Sequence, residues 1–333
     1  MEKRFQLLLN LLLSIALFAV IFYLVGFDKI ATVLVSAKPE FFVFALMVYF
    51  VLNLVMAYRV KIVLESIGDT LSTFEVFKSS LAGMLASDFT PARIGYFFTA
   101  FSLSARHKIP FEKTLLSIFG PQLFDFMIKV TSAAILLYLI ISMAGGDILL
   151  NAIVLAVFAG AIISAALLVF YPPLLKLLAP FESLPLVPHI FNFIRRMHLH
   201  SHKVLAVKWK IAAITIVCWL IKGLEWLFLS KAVGIQLSGD LISDLLFMMV
   251  FQAALTIIQF LPIPTLAGAG ASEAGFAAAL LPFGVPLETA VTFGFLTRIV
   301  MIAVDSLSLP VLLDYLHHHS LESSLDKIFK LEH

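Results

Sequence analysis

The chain is poor in the residues on which soluble folds and most enzymes depend. It contains one cysteine, Cys218, so no disulfide scaffold forms within it. Charged residues make up only 13% of its 333 positions, and a net charge of +2 leaves no basic surface for nucleic acid. No Gly-x-x-x-x-Gly-Lys loop is present, so nothing points to ATP as an energy source. No histidine falls within a long apolar run, which leaves Ser272 of Gly270-Ala271-Ser272 without the base a serine hydrolase needs. Gly145-Gly146-Asp147 lacks the spacing of an intramembrane aspartyl protease. His198, His200 and His202 alternate in a basic stretch with no nearby carboxylate or cysteine to complete a metal shell, and read as a solvated loop. No enzyme activity, cofactor or metal is therefore expected.

What is abundant is apolar surface. Apolar residues reach 61%, with 32 Phe and a mean hydropathy of +1.04, where about half apolar and a quarter charged is usual for soluble proteins. The expected fold is an all-α polytopic membrane protein. At about 20 residues per crossing the length allows roughly seven or eight spans and no second soluble domain, so 1–330 reads as one transmembrane domain. The final Leu331, Glu332 and His333 resemble a truncated vector tag.

Seven runs are long enough to cross: Phe5 to Gly26, Phe41 to Tyr58, Thr114 to Ser142, Ile148 to Tyr171, Ile211 to Ser230, Leu245 to Leu261 and Thr289 to Leu313. Two further apolar regions are interrupted. Leu81 to Leu103 is broken by Asp88, Pro91 and Arg93, and Pro262 to Phe283 by Pro262, Pro264, Gly268 and Gly270, with Glu273 after them. Irregular backbone at membrane depth survives only where protein or a wet cavity surrounds it, so both regions are expected to be re-entrant hairpins.

With the amino terminus inside and both hairpins re-entrant, basic residues concentrate on one side. Lys3, Arg4, Arg59, Lys61, Lys78, Arg106, Lys108, Lys113, Lys176, Arg195, Arg196, Lys203, Lys208 and Lys210 lie inside, against Lys29, Lys38 and Lys231 outside. The segment 172–210 reads as a basic amphipathic stretch on the inner leaflet. The side of the carboxyl terminus stays open. A weak internal repeat relates halves at about 41–142 and 245–313: Ile109-Pro110-Phe111-Glu112 follows the first interruption as Val285-Pro286-Leu287-Glu288 follows the second. Pro before Glu also simply starts helices, and that reading stands beside the repeat.

Nine ionisable residues fall at membrane depth: Asp88, Arg93, Asp125, Lys129, Lys222, Glu225, Glu273, Arg298 and Asp305. Each costs about 2.5–3.5 kcal/mol at a bilayer centre, so each requires a partner, water or a ligand. Asp125 with Lys129, and Lys222 with Glu225, are spaced to neutralise each other on one helix face, while Lys222 near a helix end could instead snorkel to the interface. Arg93, Glu273 and Arg298 have no opposite charge three or four residues away, so tertiary partners or a charged ligand must compensate them. Arginine suits a lipid phosphate because its planar fork donates two parallel hydrogen bonds, and a carboxylate suits a cationic headgroup or a coupling proton. The small residues of Ala267 to Ala279 either pack backbones closely or leave room for a headgroup.

Pro91, Arg93 and Gly95 in a broken segment, Pro110, Asp125 on the next helix, and then Pro264, Gly268, Gly270, Glu273 and Arg298 resemble the flippase-like transmembrane domain of lysylphosphatidylglycerol synthases. The resemblance covers nearly the whole chain. It implies a helical domain that moves a polar lipid between leaflets; the soluble aminoacyl transferase domain is absent here, so lipid aminoacylation is not expected. Two departures stand out: Tyr96 follows Gly95 where a Glu is usual, and Gln122 stands where an Arg is expected.

The expected function is therefore passage of a phospholipid or lipid-linked sugar headgroup through a polar cavity between the hairpins, in the cell membrane. Arg93 and Arg298 would hold phosphate, Glu273 and Asp125 would meet positive charge or a proton, and Asp88, Gly268, Gly270 and Ser272 would complete the substrate-binding set. Lys129, Lys222, Glu225 and Asp305 would be structural or coupling partners. A proton or sodium ion, a separate lipid synthase and a second copy of the chain are the partners that fit. A transporter of a soluble ion or metabolite would use the same charges, and a lipid-modifying enzyme would need two of the carboxylates together.

Overall fold

In a computed structural model of the protein, which describes residues 2–143, 202–259 and 268–318 with Thr265 and scattered positions between 149 and 160, the described chain is helical. The expected span over 148–171 and most of the basic stretch 172–210 lie outside the described residues. Helix α1 (Glu2–Val25) ends at Gly26, whose φ of 91° carries the chain through an 85° bend into α2 (Phe27–Ser36).

Helix α3 (Pro39–Ser66) begins with Pro at its first turn and meets no Gly or Pro until Gly68. At 28 residues it is about 42 Å long, more than a bilayer core requires. The sequence reading ended this span at Tyr58 and placed Arg59 in an inner loop. That placement is wrong: the helix continues, and Arg59 is 2% exposed inside the bundle.

The first interrupted region folds back on itself as expected. Helix α4 (Thr73–Asp88) starts from a capping box in which Ser72 and Glu75 satisfy each other's backbone N–H groups. A tight turn over Pro91–Tyr96 then leads into α5 (Phe97–His107). The two helices run antiparallel in close contact, with the Ser102 hydroxyl donating to that of Ser79 at 3.1 Å. A Cβ on Gly83 would lie 1.9 Å from the Thr99 hydroxyl, and one on Gly95 2.3 Å from the Ala86 carbonyl carbon. Two glycines thus set how closely the hairpin closes.

Helix α6 (Phe111–Met143) and helix α7 (Lys208–Ala232) cross beside α3. Helix α8 (Leu241–Gln259) is followed by Gly268 and Gly270, both at positive φ, and by the short α9 (Ala271–Leu280). Ten residues span about 15 Å, too little to cross. Helix α10 (Leu287–Asp305) returns along α9, with Gly294 admitting Phe276 and Glu273, and continues through a short turn into α11 (Leu309–His318). Pro262 and Pro264 lie outside the described residues.

Four helical stretches are long and apolar enough to cross a membrane, namely α3, α6, α7 and Leu287–Tyr315, or five if the bent α1–α2 pair counts as one span. The expected seven or eight are not reached among the described residues. The Pro110 and Pro286 quartets occupy matching places: each follows a left-handed residue, Lys108 or Gly284, buries its Ile109 or Val285, and starts a long helix. The carboxyl-terminal half is gathered around Trp226 of α7, which meets Phe251, Phe276 and Phe293 edge-on at 5.3–5.7 Å and so ties α8, α9 and α10 together.

Candidate functional site

Two adjoining cavities lie between these helices. The larger encloses about 990 Å³, its open mouth included, among α3, α4, the 91–96 turn, α6, α7, α8 and α10. The smaller, of about 310 Å³, sits among α4, the same turn, α9 and α10. Arg93 and Met301 line both, so the arginine of the first hairpin stands in the wall between them.

In the larger cavity the central group is one that sequence reasoning missed. Arg59 forms a two-pronged ion pair with Asp125, both N–H···O distances being 2.8 Å, and donates to the Thr215 hydroxyl at 2.7 Å. Asp125 is thus held by Arg59, and Lys129, the partner its spacing implied, adds its charge from four residues away. The Lys129 ammonium lies 5.4 Å from the Phe126 ring centre on the cavity wall. The sign that could have revealed Arg59 was available: a helix started by Pro39 meets no stop signal at Tyr58 and none before Gly68. Lys222 pairs with Glu225 at 2.7 Å, as the spacing predicted, and its ammonium lies 4.5 Å from the Tyr49 ring centre, so it turns inward rather than to the interface.

The smaller cavity gathers the two interrupted segments. Arg298 donates to Glu273 at 2.7 Å and to the Ser272 hydroxyl at 2.8 Å. Glu273, three residues into the start of α9, also accepts the Gly270 N–H at 2.7 Å. Gly270 holds φ at 83°, a conformation that costs glycine little. Gly268 contributes its carbonyl, 3.1 Å from the Ser272 hydroxyl. On the opposite wall Arg93 donates to Asp88 at 3.0 Å and to Ser87 at 3.2 and 3.3 Å. Its φ of 55° is unusual for a residue with a side chain, and these bonds hold it there while it is only 8% exposed. Asp305 lies behind Asp88, accepts the Tyr49 hydroxyl at 3.1 Å and is fully buried.

The geometry thus brings Arg93, Asp88, Glu273, Arg298 and Ser272 to one chamber, and Asp125, Lys129 and Lys222 to the adjoining one. Arg93, Glu273 and Arg298, which lacked local partners, are compensated by tertiary or hairpin contacts. The residues of the chain match the lysylphosphatidylglycerol synthase transmembrane region from position 7 to 308. The chain belongs to that family. A 102-residue stretch is also 26% identical to the UPF0104 membrane protein MJ1595 of Methanocaldococcus jannaschii, covering 30% of each chain. No solved structure matches. The family membership establishes a multi-pass membrane protein whose relatives are flippase-like in general terms.

The chain's two departures from the family pattern meet in the larger cavity. The Gln122 amide donates to the Tyr96 hydroxyl at 3.4 Å, so a neutral pair stands where a Glu and an Arg were expected. The cavity nevertheless contains an arginine, Arg59, supplied from α3.

Proposed function

We propose that the protein moves a lipid with a charged or polar headgroup, a phospholipid or a lipid-linked sugar, between the leaflets of the cell membrane. The observation that carries this reading is a cavity of about 990 Å³ within the helix bundle that combines Arg59, Arg93, Lys129 and Lys222 with Leu52, Met56, Ile128 and Met301.

In this reading the headgroup enters the larger cavity with its tails in lipid, and Lys129 and Arg93 meet its phosphate. The smaller chamber has room for about one water-sized group as it stands, so onward passage would need its two hairpins to part, and would exchange carboxylate partners for the phosphate at Arg93 and Arg298. Asp125 and Glu273, once their arginines are engaged elsewhere, face a cationic group. Moving Arg59 from the loops into the bundle leaves the basic bias on the inner side in place, which supports a cytoplasmic amino terminus.

Headgroup-resolved lipid movement in proteoliposomes tests the reading. The wild type is expected to move one anionic, zwitterionic or sugar-linked class faster than protein-free liposomes do, and Arg298→Ala and Lys129→Met to abolish that movement at equal protein recovery. If no lipid class moves faster than in empty liposomes, the reading fails and a soluble-ion transporter takes its place.

A further inference from the structure

The carboxyl groups of Asp88 and Asp305 form a feature that lipid passage alone does not use. The other buried carboxylates of the site each have a cation: Asp125 has Arg59, Glu225 has Lys222, Glu273 has Arg298, and Asp88 has Arg93. Among the described residues Asp305 has none. It is fully buried, and the cation it feels most is Arg93, already held by Asp88. A charged carboxylate left so in a low-dielectric interior is costly enough that the group takes a proton instead.

The oxygen atoms show where that proton fits. Asp88 Oδ1 accepts from Arg93, and Asp305 Oδ2 accepts from Tyr49. Asp88 Oδ2 and Asp305 Oδ1 are buried and have no donor among the described residues. The two carboxyl groups are within hydrogen-bonding reach of each other. One proton held between these two atoms satisfies both and cancels the surplus charge, because like charges at that range do not both ionise. The charged and titratable groups facing the pair are Tyr49 of α3, Arg93 of the hairpin turn, Lys222 and Glu225 of α7, and Arg298 with Glu273 across the smaller chamber.

We propose that Asp88 and Asp305 form a proton-binding site that holds one proton while Arg93 is paired with Asp88, and gains a second when Arg93 turns to an anionic headgroup. Arg93 faces both cavities, so it is the cation that a phosphate in the larger one can draw away from Asp88. Its departure leaves the singly protonated pair with an uncompensated negative charge. A second proton taken from water onto Asp88 Oδ1 removes that charge, and one proton then accompanies each anionic lipid. This second half rests on the lipid reading above; the first half does not.

Infrared spectroscopy of the full chain in lipid nanodiscs tests the site directly. At neutral pH the wild type is expected to show the carbonyl stretch of a protonated carboxyl. Asp305→Asn, whose amide N–H stands in for the shared proton, should lose it. Tyr49→Phe, which leaves both carboxyls in place, should shift the band without removing it. Absence of the band from the wild type, or a band unchanged in both variants, overturns the proton site regardless of any lipid result. In proteoliposomes with labelled phosphatidylglycerol, an imposed proton gradient should speed movement by the wild type and leave Asp305→Asn unaffected. A wild type that moves the lipid but ignores the gradient overturns the coupling alone. If the wild type moves no lipid, the coupling falls together with the lipid reading, and the infrared band still decides the proton site.

Discussion

Removing Arg59 while leaving Asp125 in place should destabilise the protein more than the loss of any surface ion pair. In Arg59→Met the side-chain volume is roughly kept, but Asp125 loses two charge-assisted hydrogen bonds of 2.8 Å and Thr215 loses the N–H that its hydroxyl accepts. Breaking one partner of a buried pair costs about 3–5 kcal/mol because the survivor is left charged and unpaired. Asp125 keeps 16% of its side chain exposed and has Lys129 four residues away, which places the expected loss near the low end, about 3 kcal/mol. In thermal unfolding of detergent-solubilised protein this corresponds to a drop on the order of 5–10 °C. Arg59→Lys keeps the charge but not the fork, and should fall between the wild type and Arg59→Met. The double variant Arg59→Met/Asp125→Leu removes the stranded carboxylate and should regain most of the loss, with a coupling energy of about 2–3 kcal/mol. It should still fail to move lipid. A single variant as stable as the wild type, or a double variant whose losses simply add, would refute the pair as a buried, mutually dependent unit.

Gly83→Ala places a methyl group 1.9 Å from the Thr99 hydroxyl, so the hairpin has to open; the yield of monodisperse protein should collapse, and Thr99→Ala in the same chain should recover part of it. Gly95→Ala faces Ala86 backbone at 2.3 Å and should have no such rescue by a side-chain change. At the start of α8 the exposed Asp240 carboxylate accepts from the Ser243 backbone N–H and hydroxyl, which holds its pKa below the ordinary carboxylate value. A group lowered in the folded state stabilises above its unfolded pKa and stops doing so as pH falls through the folded one. Hydrogen exchange at residues 241–244 should therefore quicken on acidification in the wild type and be pH-insensitive in Asp240→Ala beyond the intrinsic rate.

Composition and hydrophobic run length made the helical membrane architecture legible, because each crossing has to satisfy its own backbone in a medium without water. Pro91 and Arg93 made the first hairpin legible for the same reason. Helix ends were harder. A charge at the end of an apolar run reads as the edge of the membrane, yet Arg59 belongs to a helix that outlasts the run and turns the charge inward. Local spacing correctly paired Lys222 with Glu225, three residues apart on one turn. For Asp125 it was incomplete, because a fork from a neighbouring helix takes both carboxylate oxygens while the ammonium four residues away adds only its field. The pairing of Arg298 with Glu273, 25 residues apart, follows from the close return of α10 along α9 at Gly294, which no short spacing encodes.

The ion pairs also constrain how such a site works. Arg59, Arg93, Lys222 and Arg298 each hold a carboxylate, so a phosphate has to displace one to bind through any of them. A buried pair opens at low net cost only when both partners are satisfied at the same moment. For Arg59 the displaced group is Asp125, which has Lys129 within its field, and for Arg93 it is Asp88, which has Asp305 beside it. Arg298 differs: the Glu273 it would leave still accepts the Gly270 N–H and the Ser272 hydroxyl. Behind each displaced carboxylate stands a second group: the Lys129 charge for Asp125, the Asp305 carboxyl for Asp88, and two neutral donors for Glu273. In the proposed lipid path a headgroup would pass from one arginine to the next with Asp88 taking up a proton as Arg93 leaves it, whereas a lone arginine in the bundle would bind a phosphate and keep it.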